Sequence, residues 1–525
     1  MNLLIITLVL LLALLGHRFS DRVGLPSLLL FILLGMSFNF LGYNFSDFEL
    51  SDKIAKVSLM IIMFYGGFGT NWTMAKPVSK PAIVLSSLGV VVTALLTGAF
   101  CYFFLNFDLY EAMLLGSVVG STDYASVSSI LVSKNLNLKY NTAPFLELES
   151  GSNDPAAYTM TMVFLTIIAG QEISVPLLIF KQVIFGIGLG FLIGFFLLKI
   201  VNMNHLRDDG LLVVLFAAIM FGTFSLTELM GGNGYLALYI LGIYIGNKQF
   251  HGKRDIVFFY DGLSSLVQIG LFFLLGFLSN IDILLKVLPI SLIIMIAMAL
   301  VIRPLTVFGL MIPFKLDKKQ LGIISLAGLR GAAAIAFAIM VVNSKVDISI
   351  DIFHIVFGIC LFSSFIQGSL MPIGTRVLSM LEPNDTVLKT FNYYQDKSDL
   401  GFIQTEIKPG NRWIGRRIKD LTHTFNIIVA KIERDNKTLV AKGNTVIKEG
   451  DIVVLGGETH FDKTGHDLTE ITLAKNHPWS NKKVSEIKMK DTELIIMLQR
   501  KEGGVIVPTG DTILHPEDKI VIIRE

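Results

Sequence analysis

The chain carries little charge for its length. Asp, Glu, Lys and Arg together make up 16% of its 525 residues, whereas hydrophobic residues make up 53%. A soluble globular protein has about 25% charged residues, and the mean hydropathy of this chain is +0.65. This composition excludes a soluble globular protein. The formal net charge of +2 gives no basic surface of the kind that binds nucleic acid, so no nucleic-acid partner is expected.

Cysteine is also scarce. The two cysteines, Cys101 and Cys360, both lie inside apolar runs. A disulfide framework needs several cysteines, and a structural zinc site needs closely spaced groups of them. The pattern therefore argues against both and indicates that each thiol packs in an apolar interior.

Long apolar runs fill the first 380 residues. A helix needs about 20 apolar residues to cross a hydrocarbon core of about 30 Å. The runs predict about thirteen spans, at 2–17, 23–42, 54–71, 81–105, 109–133, 143–169, 174–202, 209–230, 234–247, 259–281, 286–314, 320–343 and 350–377. The fold class predicted is an all-α polytopic membrane domain in the lipid bilayer, with inverted repeats and discontinuous helices, followed by a small cytoplasmic α/β domain pair.

The loops between these spans alternate in charge. Odd-numbered loops hold basic residues such as Lys76 and Lys80, and even-numbered loops hold acidic ones such as Asp47 and Glu49. Basic loops stay on the cytoplasmic side of a membrane. The alternation predicts an N-terminus outside and a C-terminal tail in the cytoplasm.

Charged residues nevertheless occur inside three of the apolar runs. The segment 147–155 reads Glu-Leu-Glu-Ser-Gly-Ser-Asn-Asp-Pro, Thr122-Asp123 lies in the run before it, and Arg330 lies in the twelfth. Each ionised group at a bilayer centre costs about 2.5–3.5 kcal/mol on insertion scales. Glycine or proline accompanies the charges in all three runs, and broken helices indicate a binding site near the midplane. An inverted repeat relating spans two to seven to spans eight to thirteen is also expected.

These residues suit a small hard cation that competes with a proton. On a helix, Ser150 and Asp154 share a face, and Thr122 and Asp123 join them if the preceding helix unwinds. A proton and an alkali cation use the same carboxylate lone pairs, so loading Asp154 with one excludes the other. Asn153 is placed with Asp154, Asp123, Ser150 and Thr122 among the five predicted cation-site residues. Because position 153 holds Asn153 rather than a second carboxylate, one proton is expected to exchange for one monovalent cation without net charge.

The other buried charges have structural interpretations. Glu149 is interpreted as the counter-ion of Arg330, locking two helices together without touching the cation. Arg303 is assigned a structural pairing or snorkelling role rather than a role in transport. Glu147 is assigned to an access path or a helix end, with direct ligation as the alternative.

At these residues the chain resembles the cation/proton antiporter superfamily, in its sodium/proton-exchanger branch. The resemblance is carried by Ser121-Thr122-Asp123, by Glu149 to Asp154, and by Gly328-Leu329-Arg330-Gly331-Ala332. It implies a thirteen-span homodimer with a dimerisation domain and a moving core domain. It also implies that Asp154, Asp123, Ser150 and Thr122 surround the cation, with Asp154 and Asp123 as its charged ligands, and that Glu149 pairs with Arg330. Tyr124 stands where the family commonly has proline, which leaves the ion selectivity open.

After about residue 380 the composition changes to charged sequence with short apolar alternations, which predict strands. Residues 413–418 align with 479–484, and Arg434 aligns with Arg500 at the same offset. The predicted domains are 1–380 in the membrane, a linker at 381–395, and modules at 396–460 and 461–525. The modules resemble C-terminal modules of the regulator-of-potassium-conductance type, a resemblance that suggests cyclic di-AMP or another small nucleotide as a ligand, with a passive dimerisation module as the alternative.

The function predicted is therefore exchange of a cytoplasmic monovalent cation for protons by alternating access, with K⁺ favoured and Na⁺ as the alternative. No bond is made or broken, so the protein is not expected to be an enzyme. The rival prediction is a ligand-gated cation channel, although the sequence has no run like the Thr-Val-Gly-Tyr-Gly filter of such channels. A bacterial plasma membrane is the expected location.

Overall fold

The structure is a computed structural model that forms two compact units, Met1–Lys397 and Ser398–Glu525. The residues that it describes are 7, 11–12, 27–40, 45–134, 136–172, 174–202, 209–250, 252–382, 400–407, 409–411, 413–421, 427–434, 437–440, 442–458, 467–474, 477–487, 489, 493–500, 505–506 and 508–524.

The first unit is helical throughout its described part. Its helices are α1 Ser27–Phe40, α2 Phe48–Gly69, α3 Ser79–Leu105, α4 Leu109–Val118, α5 Tyr124–Ser133, α6 Thr142–Ile168, α7 Val175–Asn202, α8 Asp209–Leu229, α9 Gly234–Gly246, α10 Lys253–Leu278, α11 Ile281–Ala297, α12 Arg303–Met311, α13 Lys318–Leu326, α14 Ala332–Asn343, α15 Ile352–Phe362 and α16 Gly368–Val377. Five-residue π-helical turns, Met298–Ile302 and Ser363–Gln367, join α11 to α12 and α15 to α16.

Acidic residues in the short loops start several of these helices. The Asp47 carboxylate accepts a hydrogen bond from Leu50 N at 2.9 Å at the start of α2, and Asp108 accepts one from Tyr110 N at 2.9 Å at the start of α4. Side-chain caps of this kind satisfy backbone N–H groups that lack a partner within the helix. The residues that made the even-numbered loops acidic therefore also fix where helices begin.

Apart from the first, the predicted spans agree with the helices within six residues at each limit. Span 2–17 lies outside the described residues except for Thr7, Leu11 and Leu12. In the described part of the chain, six helical stretches are long and apolar enough to cross a membrane by length and composition. Other spans miss those criteria because they are broken, short or charged. Helix α6, for example, carries Glu147, Glu149 and Asp154.

The helices pack in two groups, which we call the scaffold (α1, α2 and α7–α10) and the core (α3–α6 and α11–α16). Glycines let the scaffold helices α2 and α9 approach closely. A Cβ added at Gly67 would strike the backbone of Tyr239, and one added at Gly242 would strike the backbone of Phe64. Small residues that admit close backbone contact are typical of helix packing in membranes.

Two core helices are interrupted, and the interruptions lie against each other. The first break separates α4 from α5 at residues 119–123, and the second separates α13 from α14 at residues 327–331. Asp123 N donates to Leu329 O at 2.9 Å across them. The breaks fall in spans five and twelve, seven spans apart. A repeat that superposes them relates spans one to six to spans eight to thirteen, whereas the sequence suggested spans two to seven and eight to thirteen; the repeat itself stays a prediction.

The second unit contains two four-stranded antiparallel sheets. The strands are β1 Leu400–Glu406, β2 Ile427–Arg434, β3 Lys437–Val440, β4 Ile452–Glu458, β5 Asp467–Thr472, β6 Glu493–Gln499, β7 Val505–Ile506 and β8 Lys519–Arg524. The orders β1-β4-β2-β3 and β5-β8-β6-β7 are equivalent. Irregularities in register recur at Val429/Lys431 and at Ile495/Met497. The two modules therefore share one topology, as the internal repeat predicted.

A buried ion pair recurs in both modules. Arg434 donates to both carboxylate oxygens of Asp451 at 2.6 and 2.7 Å, and Arg500 donates to Asp518 at 2.7 Å. Both aspartates are buried. The hydrogen bond from Arg434 holds the pKa of Asp451 below its usual range. Of the predicted linker at 381–395, residues 383–395 lie outside the described part of the chain.

Candidate cation-binding site

Asp154 lines a cavity of about 360 Å³ in the first unit. Scaffold helices α2 and α10 line one side of the cavity, and core helices α5, α6 and α14 line the other. Asp123, Thr122, Ser150 and Glu147 line it together with Asp154. The structure therefore brings four of the five predicted cation-site residues to one cavity.

The mouth of this cavity is acidic. Asp261 on α10 is exposed there and accepts a hydrogen bond from Tyr65 Oη at 2.7 Å. Glu147 lies deeper, 7% exposed. A cleft lined by charges of one sign between low-dielectric walls concentrates counter-ions. The path from solvent to Asp154 thus favours cations along its length, and the access-path interpretation of Glu147 agrees with its position.

Asp154 and the first helix break are held together by serine hydroxyls. Ser121 Oγ donates to Asp154 Oδ1. Ser150 Oγ donates to Thr122 O at 2.7 Å and accepts from Tyr124 N at 2.8 Å. These bonds satisfy backbone groups that the break between α4 and α5 releases from helical pairing. They also set hydroxyl, carbonyl and carboxylate oxygens around one point, which is the ligand set that a small hard cation prefers.

Besides lining the cavity, Asp123 caps a helix at the first break. Ser126 N donates to its Oδ1 at 3.4 Å and Ser126 Oγ to its Oδ2 at 2.5 Å, so Asp123 caps the start of α5. The carboxylate also lies at the start of α14, where a Cβ on Gly331 would collide with it. Helix N-termini carry partial positive charge. Asp123 therefore offsets the positive ends of two half-helices and fixes them beside Asp154.

Arg330 places a positive charge at the negative end of α4, opposite in sign to the role of Asp123. Its Nη1 donates to Gly120 O at 2.8 Å and to Ser121 O at 2.5 Å, two carbonyls just beyond the end of α4. Arg330 is 2% exposed. Released carbonyls and the negative end of a helix both attract a cation. The guanidinium thus neutralises the break rather than an acidic side chain.

The predicted pairing of Glu149 with Arg330 is wrong. Glu149 Oε1 instead accepts from Arg303 Nη2 at 3.0 Å, and both side chains are almost fully buried. The reason lies in the second break, because Arg330 there points to the carbonyls of residues 120 and 121, while α12 carries Arg303 to α6. The structural pairing role expected for Arg303 is the one that the structure shows.

Asn153 belongs to a relay of hydrogen bonds behind the cavity rather than to its wall. Its Nδ2 donates to Thr122 Oγ1 at 2.5 Å, and Thr122 Oγ1 donates to Glu149 Oε2 at 3.5 Å. Asn153 is fully buried and does not line the cavity. Asn153 therefore orients Thr122, and its predicted place at the cation stays a prediction.

Sequence reasoning missed Ser121 as a partner of Asp154 and Ser126 as a partner of Asp123. Ser126 is three residues from its partner Asp123, a spacing that the sequence displays. Ser121 is 33 residues from its partner Asp154 and meets it only because the backbone unwinds between α4 and α5. Among the residues that the structure describes, no group of three or more His, Cys, Asp and Glu side chains could hold a metal ion.

The chain matches two known protein families. Residues 6–375 match the family described as sodium/hydrogen exchanger, transmembrane, and residues 402–460 and 468–524 each match the TrkA-C domain. A K(+)/H(+) antiporter NhaP2 of Shewanella sp. (strain ANA-3) is 30% identical over 471 residues, which cover 87% of this chain and 82% of that protein. A K(+)/H(+) antiporter NhaP of Alkalimonas amylolytica is 29% identical over 465 residues, covering 87% and 81%.

The fold is similar to that of a solved antiporter. The structure of the sodium proton antiporter MjNhaP1 from Methanocaldococcus jannaschii at pH 8 superposes with a TM-score of 0.65 at 24% identity, covering 72% of this chain and all of that one. At this identity the likeness concerns the fold alone. With a family match over about seven tenths of its length, the chain belongs to the sodium/hydrogen exchanger family of transmembrane proteins, and its tail carries two TrkA-C domains.

Proposed function

We propose that this protein exchanges a monovalent cation, K⁺ in preference to Na⁺, for protons. The observation that carries the proposal is Asp154, which is 6% exposed and lines the cavity between scaffold and core. A carboxylate in that position binds either a proton or a cation through the same oxygens. Relatives named K(+)/H(+) antiporters match over most of the chain and support K⁺.

Na⁺ remains the alternative cargo. A protein of Methanocaldococcus jannaschii named a probable Na(+)/H(+) antiporter is 27% identical over 275 residues, covering 49% of this chain. Tyr124, which stands where the family commonly has proline, donates its backbone N–H to Ser150 Oγ. Proline has no N–H to donate. A hydrogen bond that proline could not make therefore joins the break to α6 in this protein. This difference from the common family pattern supports a cation selectivity that differs from that of relatives with proline.

The asymmetry of the seam between scaffold and core supports alternating access. The cavity occupies the halves of α2, α6 and α10 that adjoin the lysine-bearing loops around residues 76–80, 134–139 and 248–253. Buried side chains fill the opposite halves of the seam. If the lysine-bearing loops are cytoplasmic, the N-terminus is outside, the tail is inside, and the structure is open inward.

Electroneutral exchange is the stoichiometry that we favour. Asn153 brings no second carboxylate and does not line the cavity, and Asp123 is occupied in capping two half-helices. One carboxylate that swaps one proton for one monovalent cation moves no net charge. A homodimer, a bacterial plasma membrane and regulation by a small nucleotide such as cyclic di-AMP on the TrkA-C domains complete the proposal.

A ligand-gated channel fits less well. A channel needs a continuous path when open and a filter of several coordinating oxygens in a row. The matched family instead consists of exchangers.

Proton flux across everted membrane vesicles tests the proposal. With an acidified interior reported by a quenched dye, adding K⁺ or Na⁺ should collapse the gradient for the unmodified protein and not for Asp154→Asn. Asp282→Asn is the matched control, because it removes an exposed carboxylate at the start of α11. Exchange by Asp154→Asn at the unmodified rate contradicts the proposal. Cation-driven current through proteoliposomes that persists without a proton gradient indicates the channel instead.

A further inference from the structure

Two hydrogen-bonded pairs cross the seam between scaffold and core on the side opposite the cavity. Asp52 Oδ2 on α2 accepts from Asn343 Nδ2 on α14 at 2.9 Å, and Glu228 Oε2 on α8 accepts from Tyr158 Oη on α6 at 3.3 Å. We call Asp52–Asn343 and Glu228–Tyr158 the outer pairs. In each of them the scaffold contributes the carboxylate and the core contributes the neutral donor.

Aromatic rings fill the space between the outer pairs and Asp154. Tyr158 is one helical turn beyond Asp154 on α6, so it lies over the site. Its ring is 5.0 Å from that of Tyr235 on α9 and 6.0 Å from that of Phe337 on α14. All three rings are buried. They separate Asp154 from the far side of the membrane domain while the cavity side stays open.

The Asp52 carboxylate is only partly satisfied where it stands. It is 3% exposed, and its Oδ2 also meets Lys56 Nζ at 2.8 Å, but its Oδ1 has no hydrogen-bond partner. Buried polar atoms without a partner are rare in folded proteins and call for an explanation. A conformation in which the core has moved away from α2 would give this oxygen water or a cation.

We propose that the outer pairs are the closed outer gate of the transport path, and that their two carboxylates are the first protein groups to contact a cation that enters from the far side. The proposal rests on alternating access as proposed above. In the inward-open state each carboxylate is held by a core donor. When the core moves, both donors leave with it and both carboxylates line the new entrance, as Asp261 lines the present one.

Cross-linking tests the gate. Cys101→Ser and Cys360→Ser remove the two native thiols, and Asp52→Cys with Asn343→Cys then places a thiol on each side of the seam in the full-length protein. A short bifunctional thiol reagent should join them and stop exchange by more than tenfold, and cleavage of the linker by reductant should restore it. Exchange that is unchanged in fully cross-linked protein, or failure of the thiols to join, overturns the proposal. Absence of exchange in the reduced protein and in the unmodified one counts against the exchange function instead.

The proposed outer entrance is tested by removing the charge of Asp52 and measuring cation affinity separately from each side of the membrane. Asp52→Asn retains a group that can hydrogen-bond to Asn343 but removes the charge. It should raise the half-saturating cation concentration about fivefold in right-side-out vesicles, where the outer face meets the medium, and leave it unchanged in everted vesicles. Glu228→Gln should act in the same direction and covers the case in which the first variant does not fold.

Glu49→Gln is the matched control. Glu49 lies one turn before Asp52 on α2, at the same end of the helix, but it is exposed and paired with Lys53 on its own helix. It should change neither half-saturating concentration. Equal effects of Asp52→Asn on both faces, or an equal effect of Glu49→Gln at the outer face, contradict the assignment of an entrance.

Discussion

The Glu149–Arg303 pair gives the sharpest energetic prediction for the membrane unit. Its atoms are 3.0 Å apart, and the two side chains are 3% exposed or less. Removing one partner leaves the other as an uncompensated buried charge, which costs about 3–5 kcal/mol. We therefore expect Arg303→Met and Glu149→Leu each to destabilise the protein by about that amount, whether or not the variant still transports.

The loss of unfolding free energy in the double variant should be much smaller than the sum of the losses in the two single variants. Arg303 Nε has no hydrogen-bond partner, so the desolvation of the guanidinium is incompletely offset in the native state. Replacing a buried ion pair by apolar residues of similar volume is often neutral or stabilising. The double variant Glu149→Leu/Arg303→Met should thus lie within about 1 kcal/mol of the unmodified protein. That outcome corresponds to a large coupling energy between the two positions.

The assay is a double-mutant cycle on the free energy of unfolding in mixed micelles. Unfolding by SDS, followed by helical circular dichroism, reports mainly on the membrane unit, because the described tail consists largely of strands. A second cycle between Glu149 and Arg330 serves as the reference and should give a smaller coupling. The pairing would be refuted if the Glu149–Arg303 positions proved additive within about 0.5 kcal/mol while Glu149 and Arg330 coupled strongly.

Three further outcomes follow from single contacts. Gly331→Ala places a methyl group against the Asp123 carboxylate and should reduce exchange more than tenfold, measured as vesicle flux against protein quantified in the same membranes. Ser150→Ala removes two hydrogen bonds across the first break and should cost about 1–3 kcal/mol in the same micelle titration. Arg434 depresses the pKa of Asp451 in the folded tail, so the ionised carboxylate stabilises the tail fully above about pH 4, the usual aspartate value, and this stabilisation is lost as the pH falls further. Thermal unfolding of the tail in the full-length protein should show the loss of stability below about pH 4. The variant Asp451→Asn should not show that loss.

The sequence predicted the spans well because hydropathy reports directly on burial in lipid. For that reason the helices α3 and α7 begin and end within two residues of their predicted limits. Helix α14 ends at its predicted limit, and the predicted span that contains it also includes α13. The positions of the two breaks were also visible, since Gly120 and Gly328 interrupt apolar runs beside charged residues. Both signals are local, and each needs only the residues within one run.

The partners of the buried charges could not be predicted in the same way. Either Arg303 or Arg330 could pair with Glu149 on chemical grounds. Which of them does so depends on how the two unwound segments cross. Arg330 finds backbone carbonyls that exist as free acceptors only after α4 stops short. Asn153 and Asp154 are neighbours in sequence but point to a hydrogen-bond relay and to a cavity, respectively. Such outcomes are set by tertiary geometry rather than by residue spacing.

Proton release on cation binding tests the central claim most directly. The purified protein, held in weakly buffered detergent solution near neutral pH with an indicator dye, is titrated with K⁺ and separately with Na⁺. If one carboxylate binds either a proton or a cation, the unmodified protein releases about one proton for each cation bound, and Asp154→Asn releases none. Release by Asp154→Asn equal to that of the unmodified protein, or cation binding with no release at all, contradicts the account.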